Sequence, residues 1–533
     1  MAITPSSDLK LLKCPIELDN KNQLTFDNAT QQYNYFNSLN KLEVDGFTYL
    51  RQNNVIRYNA HLDTLLEYNY VMYRNENYSN KWFYAFITRM EYVSDTVTNI
   101  YIETDYYQTW MFNLTFLNSF VEREHVADDT IGKHTLDEGI STGEYIQNGS
   151  VTDVSELNDL FIVVGISDYQ SYAQGNVIGS MQNGIFSALQ YVAFNTNSAG
   201  ISALNAYIKS YDTAGKASSI YTIFMAPTYL CPSWTASTDS AVIRDNAVVN
   251  SKTVTLNKET TLDTYVPKNN KLKCYPYNYL LATNNNGSNA IYKYELFSTS
   301  NVTFDLVSCI TTGCSIRIKP NGYNSSGELS TTPNNLEGLD LGKFPTCSWI
   351  SDSYTNWLTQ NSVNNAISLG SGAITAGIGA LAIAGAPVTA GISATVGAGM
   401  VAGGAGMIAN TLNEYRKASL IPDQAMGNIN NGDVVTACGD NTFSFRHMSV
   451  KKEYAQIIDN YFSMFGYKVN KLKVPALNSR TKWNYIKTID INIIADIPQD
   501  DLQKIKEMFN NGITLWHDSA HFLDYSQSNP IVV

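Results

Sequence analysis

Basic residues are scarce in this sequence, and their scarcity narrows what the protein can bind. Lys and Arg number 36 against 48 Asp and Glu in 533 residues, which gives a net charge of −12 and an isoelectric point near 5.0. A protein that grips nucleic acid needs a dense Lys/Arg surface, so this composition argues against tight binding of DNA or RNA. It does not argue against passage of DNA, because an acidic lumen repels phosphates.

Motifs for redox, metal and nucleotide chemistry are also missing. The seven cysteines are irregularly spaced without a CxxC pair, which favours free thiols in a protein made in a reducing cytoplasm. Cys309 and Cys314 flank a possible turn, so a disulfide and two buried thiols are both open there. Neither a GK[ST] phosphate loop nor a GxSxG elbow occurs, and we expect no cofactor. The opening residues, MAITPSSDLKLLKCPIELD, show no apolar core of a secretory signal.

The most unusual absence is that of charge within one long stretch. No Asp, Glu, Lys, Arg or His occurs between Asp352 and Glu414. The centre of this uncharged stretch, GAITAGIGALAIAGAPVTAGISATVGAGMVAGGAG (372–406), is almost entirely Gly, Ala, Ile and Val. A soluble β-rich protein has little use for such a run, so it is the first candidate for a functional segment.

Pro387 divides the uncharged stretch into two runs of membrane-spanning length. The runs 366–386 and 388–409 hold 21 and 22 residues, and a helical span needs about 20. Because proline breaks helices, the runs predict a helical hairpin. Small residues recur every three or four positions, as in the Gly399/Gly403 pair, and such faces let helices pack closely. The residues that we expect to be membrane-active are Ser368, Gly372, Thr375, Ile378, Gly379, Leu381, Ala382, Pro387, Ile392, Val396, Gly399, Met400, Gly403 and Met407.

The glycine content argues against a permanent membrane span. Eleven glycines lie between Gly370 and Gly406, and each weakens an isolated helix by about 1 kcal/mol relative to alanine. A stretch that lacks charge but is rich in glycine fits conditional insertion. A buried Gly/Ala-rich hairpin in a large core and a flexible linker remain as alternatives, although linkers are usually polar and rich in Gly and Ser.

The rest of the chain has the composition of strands and loops. Hydrophobic residues make up 44% of it, with 35 Tyr and frequent Asn. The alternating runs 81–93 (KWFYAFITRMEYV) and 97–104 (VTNIYIET) predict strands, the first of them buried on both faces. The apolar runs 160–167 and 220–226 predict buried strands. Further strands are predicted in 301–310, 314–320, 467–474 and 483–494.

Apolar stripes at helical spacing predict a few helices among these strands. The first stripe is Ile201, Leu204, Tyr207 and Ile208. The second is Tyr454, Ile457, Ile458, Tyr461, Phe462 and Phe465, with Gly466 as its C-cap. The third is Leu502, Ile505 and Phe509, in a helix that begins near Pro498 with acidic residues in its first turn. The predicted fold class is therefore mainly β with a few helices (α+β).

Several sequence blocks resemble one known family. YSNKWFYAFITRMEYV (78–93), YYQTWMFN (106–113) and FVEREHVADD…LDEG (120–139) resemble the N-terminal part of the tail-knob proteins of short-tailed phages of Gram-positive bacteria related to phi29. FGYKVNKLKVPALNSRTKWNYIKT (465–488) and MFNNGITLWH (508–517) match the same family in the same order.

The resemblance implies a structural protein without enzymatic activity at the distal end of a phage tail. It implies β-barrel-type tube domains that assemble into a hexameric cylinder around the DNA channel, with a long hydrophobic loop of each subunit plugging the exit. On infection, the loops are expected to insert into the host cytoplasmic membrane and form a pore for genome ejection. The implied partners are a homo-hexamer, other tail proteins (lower collar or tube, tail-tip plug or wall hydrolase), DNA that passes without specific binding, and the membrane.

We expect five segments on this basis. They are an N-terminal tube domain (1–150), a middle or outer domain (151–270), a second β domain (271–350), the hydrophobic loop (351–420) and a C-terminal part that completes the tube (421–533).

Three other functions compete with this hypothesis. The loop could be only a plug that never enters lipid, or the chain could be a secreted pore-forming toxin, which the missing signal opposes. Asp128, Asp129, Asp137 and Glu138 offer carboxylates for a cell-wall hydrolase. His517 and His521 have the spacing of a helical zinc site, but the HExxH glutamate is missing, so we expect a structural role.

Overall fold

The computed structural model describes most of the chain outside the uncharged stretch. The described residues are 7–45, 49–50, 54–75, 80–157, 159–167, 181–182, 185–186, 189–216, 219–231, 234–235, 237–243, 251–285, 287–309, 315–324, 338–341, 346–348, 428–429 and 442–532.

The chain folds as two compact units, each assembled from separated stretches. The terminal unit contains Met1–Gly143, Tyr265–Leu272 and Lys452–Val533, and the middle unit contains Glu144–Thr264 and Lys273–Lys451. Both ends of the chain therefore belong to one unit. The division into five segments stays a prediction.

The N-terminal part of the terminal unit forms a large antiparallel sheet. Its elements are β1 (Ser7–Leu12), β2 (Asn22–Leu24), α1 (Ala29–Ser38), β3 (Lys41–Asp45), β4 (Tyr49–Leu50), β5 (Val55–Tyr58), β6 (Tyr70–Asn75), β7 (Trp82–Ser94), β8 (Val97–Thr104), α2 (Tyr106–Trp110), β9 (Thr115–Phe116) and β10 (Ser119–Glu124). Seven strands pair in the order β3-β1-β6-β7-β8-β5-β4. The predicted strands at 81–93 and 97–104 are confirmed as the β7/β8 hairpin. The expected burial of both faces holds only for the first half of β7, since Thr88–Val93 is largely exposed.

The middle unit is built from three larger sheets. Its elements are β11 (Tyr145–Asp153), β12 (Leu160–Ile166), β13 (Met181–Gln182), β14 (Ile185–Phe186), β15 (Gln190–Asn195), α3 (Ser198–Thr213), β16 (Ile220–Pro227), β17 (Ser240–Ile243), β18 (Ser251–Asn257), β19 (Asn278–Thr283), β20 (Asn289–Tyr292), β21 (Asn301–Cys309), β22 (Ser315–Asn321), β23 (Leu339–Asp340), β24 (Thr346–Ser348), β25 (Asn428–Ile429) and β26 (Ser444–Val450). The sheet orders are β11-β26-β19-β20, β17-β15-β12-β16-β24-β25 and β18-β21-β22-β23. Strand β12 is buried at every position, as its continuous apolar run predicts. The predicted helix α3 and the β21/β22 hairpin are also confirmed.

The C-terminal part returns to the terminal unit. Its elements are α4 (Lys452–Phe465), β27 (Tyr467–Lys473), β28 (Trp483–Ile489), β29 (Ile493–Ile494), α5 (Gln499–Asn511) and β30 (Ile513–Trp516). N-terminal and C-terminal strands share one sheet, in the order β2-β30-β28-β10-β27. The stripe of α5 is confirmed, because Leu502, Ile505 and Phe509 are buried. The chain is thus mainly β with a few helices, as predicted, and its assembly into a cylinder stays a prediction.

Helix α4 ends at the predicted glycine cap. Gly466 has a φ of 62°, and its N–H donates to the Phe462 carbonyl at 2.8 Å. A Cβ at this position would lie 2.2 Å from the Glu124 carbonyl oxygen. Only glycine therefore allows α4 to stop against strand β10.

The buried face of α4 is rotated from the predicted stripe. Its buried residues are Ala455, Ile458, Asp459 and Phe462. Tyr454 and Ile457 of the predicted stripe are instead exposed, at 37% and 66%. The predicted orientation is wrong at these two positions because the carboxylate of Asp459 occupies the buried side, where it accepts several hydrogen bonds.

Candidate functional site: the root of the uncharged stretch

The uncharged stretch is framed by two short strands that pair with each other. Strand β24 precedes it, strand β25 follows it, and their antiparallel register joins Cys347 to Ile429 and Ser348 to Asn428. Cα atoms of directly paired residues lie about 4.5–5.5 Å apart. Residues 349–427 therefore begin and end side by side. We call the pair β24/β25 the loop root.

The loop root is fastened to the core of the middle unit. Strand β24 pairs with β16 through Thr346–Phe224, Cys347–Ile223 and Ser348–Thr222. Strand β16 is buried at all but one position, and it pairs in turn with the fully buried β12. The root thus lies at one edge of a sheet whose central strands, β12 and β16, are part of the hydrophobic core of the middle unit.

The residues expected to be membrane-active, from Ser368 to Met407, all lie between the root strands and outside the described residues. The described strands on either side of these residues end at Ser348 and begin again at Asn428. Among the helices that the structure describes, none has the length and hydropathy to cross a membrane. Sequence reasoning missed the root because strands of three and two residues carry too little pattern to be detected.

A polar clasp in the terminal unit holds Tyr265–Leu272, the stretch contributed from the middle of the chain. The Asp459 carboxylate accepts hydrogen bonds from Tyr265 Oη at 2.7 Å, from Lys268 N at 2.7 Å, and from Asn269 N at 3.1 Å. The Asn269 side chain adds a fourth bond at 2.7 Å. A single buried carboxylate thus supplies the hydrogen-bond acceptor for two backbone N–H groups of this stretch. Buried polar groups generally need such a partner because they are shielded from water.

Two further carboxylates complete the clasp. Asp129 accepts from Asn270 N at 3.0 Å and from Tyr467 Oη at 2.8 Å. Glu138, whose side chain is fully buried, pairs with both Arg123 and Lys271. A buried carboxylate paired with two cations is fully compensated, whereas removal of one partner would leave charge without compensation.

These contacts account for the carboxylates that could have served a cell-wall hydrolase. Asp129 and Glu138 belong to the clasp, Asp128 pairs with Lys133, and Asp137 accepts from Gly139 N at 3.0 Å. All four side chains therefore have structural partners.

His125 is a buried histidine that its surroundings keep neutral. The Tyr485 N–H donates to Nδ1 at 2.7 Å, and Nε2 lies 3.1 Å from the Ser463 carbonyl, so Nε2 carries the proton. Burial and then the nearby charge of Arg480 lower the pKa of His125 to about 3. The ring acts as a neutral bridge between β28 and α4.

Asp105 is a buried carboxyl group that caps helix α2. Its Oδ1 accepts from Gln108 N at 3.1 Å, and its Oδ2 accepts from Tyr70 Oη at 2.9 Å. Burial raises the pKa of Asp105 to about 6, although these hydrogen bonds favour the ionised form.

The two histidines with zinc-like spacing contact different partners. His517 Nε2 lies 3.1 Å from the Leu477 carbonyl and 3.2 Å from Asn484 Oδ1, while His521 Nδ1 lies 2.8 Å from Asp518 Oδ2. In the part of the chain that the structure describes, no three His, Cys, Asp or Glu side chains are grouped as metal ligands.

The fold is similar to that of a solved phage tail protein. The solved structure of the tail knob protein gp12 of bacteriophage C1 matches with a TM-score of 0.63, covering 99% of this chain and 100% of that chain. Sequence identity to it is 15%, so this likeness concerns the fold alone. Residues 6–115 also match the family model of the Caudoviral major tail protein N-terminus.

Sequence comparison then gives the family. Residues 244–530 match the family model of the C-terminal domain of tail knob protein gp9 of Bacillus phage phi29. Tail knob protein gp9 of Bacillus phage B103 is 28% identical over 100% of both chains, and gp9 of phi29 is 26% identical over the same coverage. Because the first match spans more than half of the sequence, this chain belongs to the phi29 gp9 tail knob family. The resemblance noted from the sequence blocks is confirmed, and the protein is a structural component of a phage tail knob.

Proposed function

We propose that this chain forms a hexameric tube at the distal end of the tail, with the uncharged stretches of the subunits plugging the lumen. On infection, these stretches leave the tube and insert into the host cytoplasmic membrane, where they line a pore for the genome. The paired loop root is the observation that carries this proposal. The absence of charged side chains from Ser353 to Asn413 and membership of the tail knob family support it.

The root determines how the uncharged stretch can enter a membrane. The two root strands, which flank residues 349–427, lie together at one sheet edge. A segment that crosses a bilayer from this root therefore crosses it an even number of times. Pro387 separates two runs of 21 and 22 residues, each of which suffices for one crossing. The hairpin therefore inserts and returns on the same side, while the root stays in the tail.

The remaining features fit a passive channel. A net charge of −12 disfavours adhesion of DNA to the tube. The curated relatives are named as tail knob proteins, and the four carboxylates considered for hydrolysis are engaged in structural contacts. We therefore assign the protein no catalytic role, and its other partners are neighbouring tail proteins.

Dye release from liposomes tests the membrane step. The wild-type protein is expected to release dye, and a deletion of residues 362–410 is expected to abolish release without disturbing the root. Ala398→Asp should block insertion because a charge at the centre of a bilayer is costly, while its matched control Ala398→Val should release dye like the wild type. If the deletion variant and the wild type release dye equally, the uncharged stretch is not the membrane-active element.

A disulfide across the root tests the hairpin. Ile429→Cys places a thiol opposite Cys347, at a Cα separation that a disulfide spans. The oxidised variant should release dye like its reduced form, because the root strands stay together. Loss of release on oxidation, restored by a reductant and absent in an Ile429→Cys, Cys347→Ser control, would show that the root must open.

The plug without membrane action is the second candidate function, since the same root could hold a stretch that only fills the lumen. Under that alternative, wild-type protein would release no dye at any pH from 4 to 8, but the deletion would still leave the tail open.

Native mass spectrometry tests the hexamer separately, and a stable monomer at high concentration would contradict the tube.

A further inference from the structure

A cavity in the terminal unit has the lining of a small-ligand site and is unrelated to the loop root. Its volume is about 670 Å³, within the range of about 300–1,000 Å³ that such sites occupy. It is formed by residues 19–22 at the beginning of β2, the start of α2, the end of α4, strand β28 and helix α5. These elements come from both ends of the chain, so the cavity exists only in the folded unit.

Partly exposed aromatic rings form much of the wall of this cavity. They are Tyr106, Phe465, Tyr485 and Tyr525. Phe465 and Tyr485 meet edge to face at 5.1 Å, and Tyr525 packs against the buried Trp516 at 4.9 Å. Rings held by such contacts are preformed apolar surfaces, onto which the C–H face of a sugar ring can stack.

Polar groups without protein partners accompany these rings. Among the described residues, the hydroxyl groups of Tyr106 and Tyr485 have no hydrogen-bond partner and line the cavity. Gly512 makes the position of Tyr485 possible, because its φ is 95° and a Cβ there would lie 2.3 Å from Tyr485 Oη. Asn511 adds an amide to the wall. The lining therefore offers both donors and acceptors beside apolar faces.

The charges around the cavity nearly cancel. Lys21 lies 3.4 Å from Asp19, and Lys504 lies 3.2 Å from Glu507, which leaves Glu103 as the unbalanced charge of the lining. The net charge of the lining is thus −1, which disfavours a phosphate-bearing polymer and gives a cationic ligand only a weak attraction. A neutral ligand rich in hydroxyl groups needs no countercharge in such a lining.

We propose that this cavity binds a neutral oligosaccharide, and that the tail knob thereby holds a short piece of the polysaccharide that it meets at the cell surface. The inference does not depend on the membrane step, since the cavity and the loop root belong to different units. The rings supply stacking surfaces, and the free hydroxyl and amide groups supply hydrogen bonds.

Saturation-transfer NMR and calorimetry with the full-length protein test this proposal. The probes are a trimer of N-acetylglucosamine, cellotriose, which lacks acetamido groups, and a glycerol phosphate oligomer as the anionic comparison. At least one neutral trimer should bind, and the anionic oligomer should not. Failure of both neutral trimers to bind, or stronger binding of the anionic oligomer, would overturn the proposal.

Three variants locate the binding. Tyr106→Ala should weaken trimer binding roughly tenfold through loss of a stacking face, and Tyr485→Phe roughly threefold through loss of one hydroxyl group. Tyr92→Ala, which removes a half-exposed tyrosine at the tip of the β7/β8 hairpin, is the matched control and should bind normally. Equal affinity in all three variants would refute the site.

If the cavity variants instead change the number of subunits in native mass spectra while sugar binding is unchanged, the cavity is a contact between copies and the proposal is wrong.

Discussion

The two units bury different kinds of side chain. The terminal unit buries Asp105, Arg123, Glu124, His125, Lys271, Asp459 and Arg480. Among the described residues of the middle unit, Glu295 is the one acidic or basic residue that is buried. The apolar residues differ in the same way, because the middle unit has one continuous core cluster whereas the terminal unit has three smaller ones.

This difference follows from how each unit is assembled. The terminal unit joins three stretches of chain, and apolar contact alone is not directional enough to fix their register. Buried hydrogen bonds and ion pairs supply that direction, at the cost of sensitivity to protonation. The middle unit carries the loop root on an apolar core, whose stability should vary little with pH. We therefore expect changes in the terminal unit to act through polar contacts and changes in the middle unit to act through packing.

The largest effect is expected from Asp459→Ala in the terminal unit. The change removes the acceptor of Tyr265 Oη and of the backbone N–H groups of Lys268 and Asn269, and each buried unsatisfied donor costs about 1–3 kcal/mol. The free energy of unfolding should fall by about 4 kcal/mol, as measured by urea denaturation. Hydrogen exchange of residues 265–272 should accelerate.

Asp459→Asn is the control for this variant. It keeps one carbonyl acceptor and should lose about half as much stability. An unchanged urea midpoint in Asp459→Ala would show that the clasp does not hold the unit together.

A packing change in the middle unit should come next. Phe161 of β12 is fully buried and meets Trp234 at a ring distance of 5.2 Å. Phe161→Ala should cost about 3 kcal/mol through the cavity that it leaves, and Phe161→Leu about half of that. The loss should be the same at pH 5 and pH 8. A loss that depends on pH over this range would erase the distinction between the two units.

The middle unit was also the more predictable of the two. Its buried strands were predicted from continuous apolar runs such as Leu160–Ile166, because a strand that is buried on both faces needs an apolar residue at every position. In the terminal unit, the apolar stripe of α4 predicted the helix but placed Ile457 inside and left out Asp459. The reason is that Asp459 is buried where it accepts hydrogen bonds from residues 265–269, which lie far away in sequence. Periodicity within one helix contains no information about such a partner.

The candidate site divides in a similar way. The uncharged stretch was visible from composition, because the lack of charge between Asp352 and Glu414 is a property of the sequence itself. The root strands were not visible, since their significance comes from pairing across 349–427. The cavity walls were equally hidden, because Tyr106 and Tyr485 are far apart in sequence and line one cavity only in the folded unit.

Acidification should weaken the terminal unit through His125. The pKa of this ring is lowered by burial from 6.5 to about 3, so the folded state resists a proton that the unfolded chain accepts. The stability that the neutral ring provides is complete above pH 6.5 and is lost as the pH falls toward 3. Between pH 6.5 and 5 this loss should be about 2 kcal/mol, measured by urea denaturation at several pH values. His125→Asn keeps an acceptor near Nδ1 and should flatten the dependence, and an equally steep profile in this variant would assign the acid sensitivity to other groups.

The smallest effect, and the one of opposite sign, is expected from Asp105. Burial raises the pKa of its carboxyl group from 3.8 to about 6, so the folded state binds a proton more readily than the unfolded chain. The contribution is therefore present below pH 3.8 and is lost as the pH rises through 6. Between pH 6.5 and 5 it should offset about 1 kcal/mol of the loss caused by His125. Asp105→Asn cannot take up this proton, so its urea midpoint should fall more steeply on acidification than that of the wild type. A parallel fall in both proteins would show that Asp105 takes up no proton between pH 6.5 and 5, and the pH dependence of the terminal unit would then be assigned to His125 and the clasp.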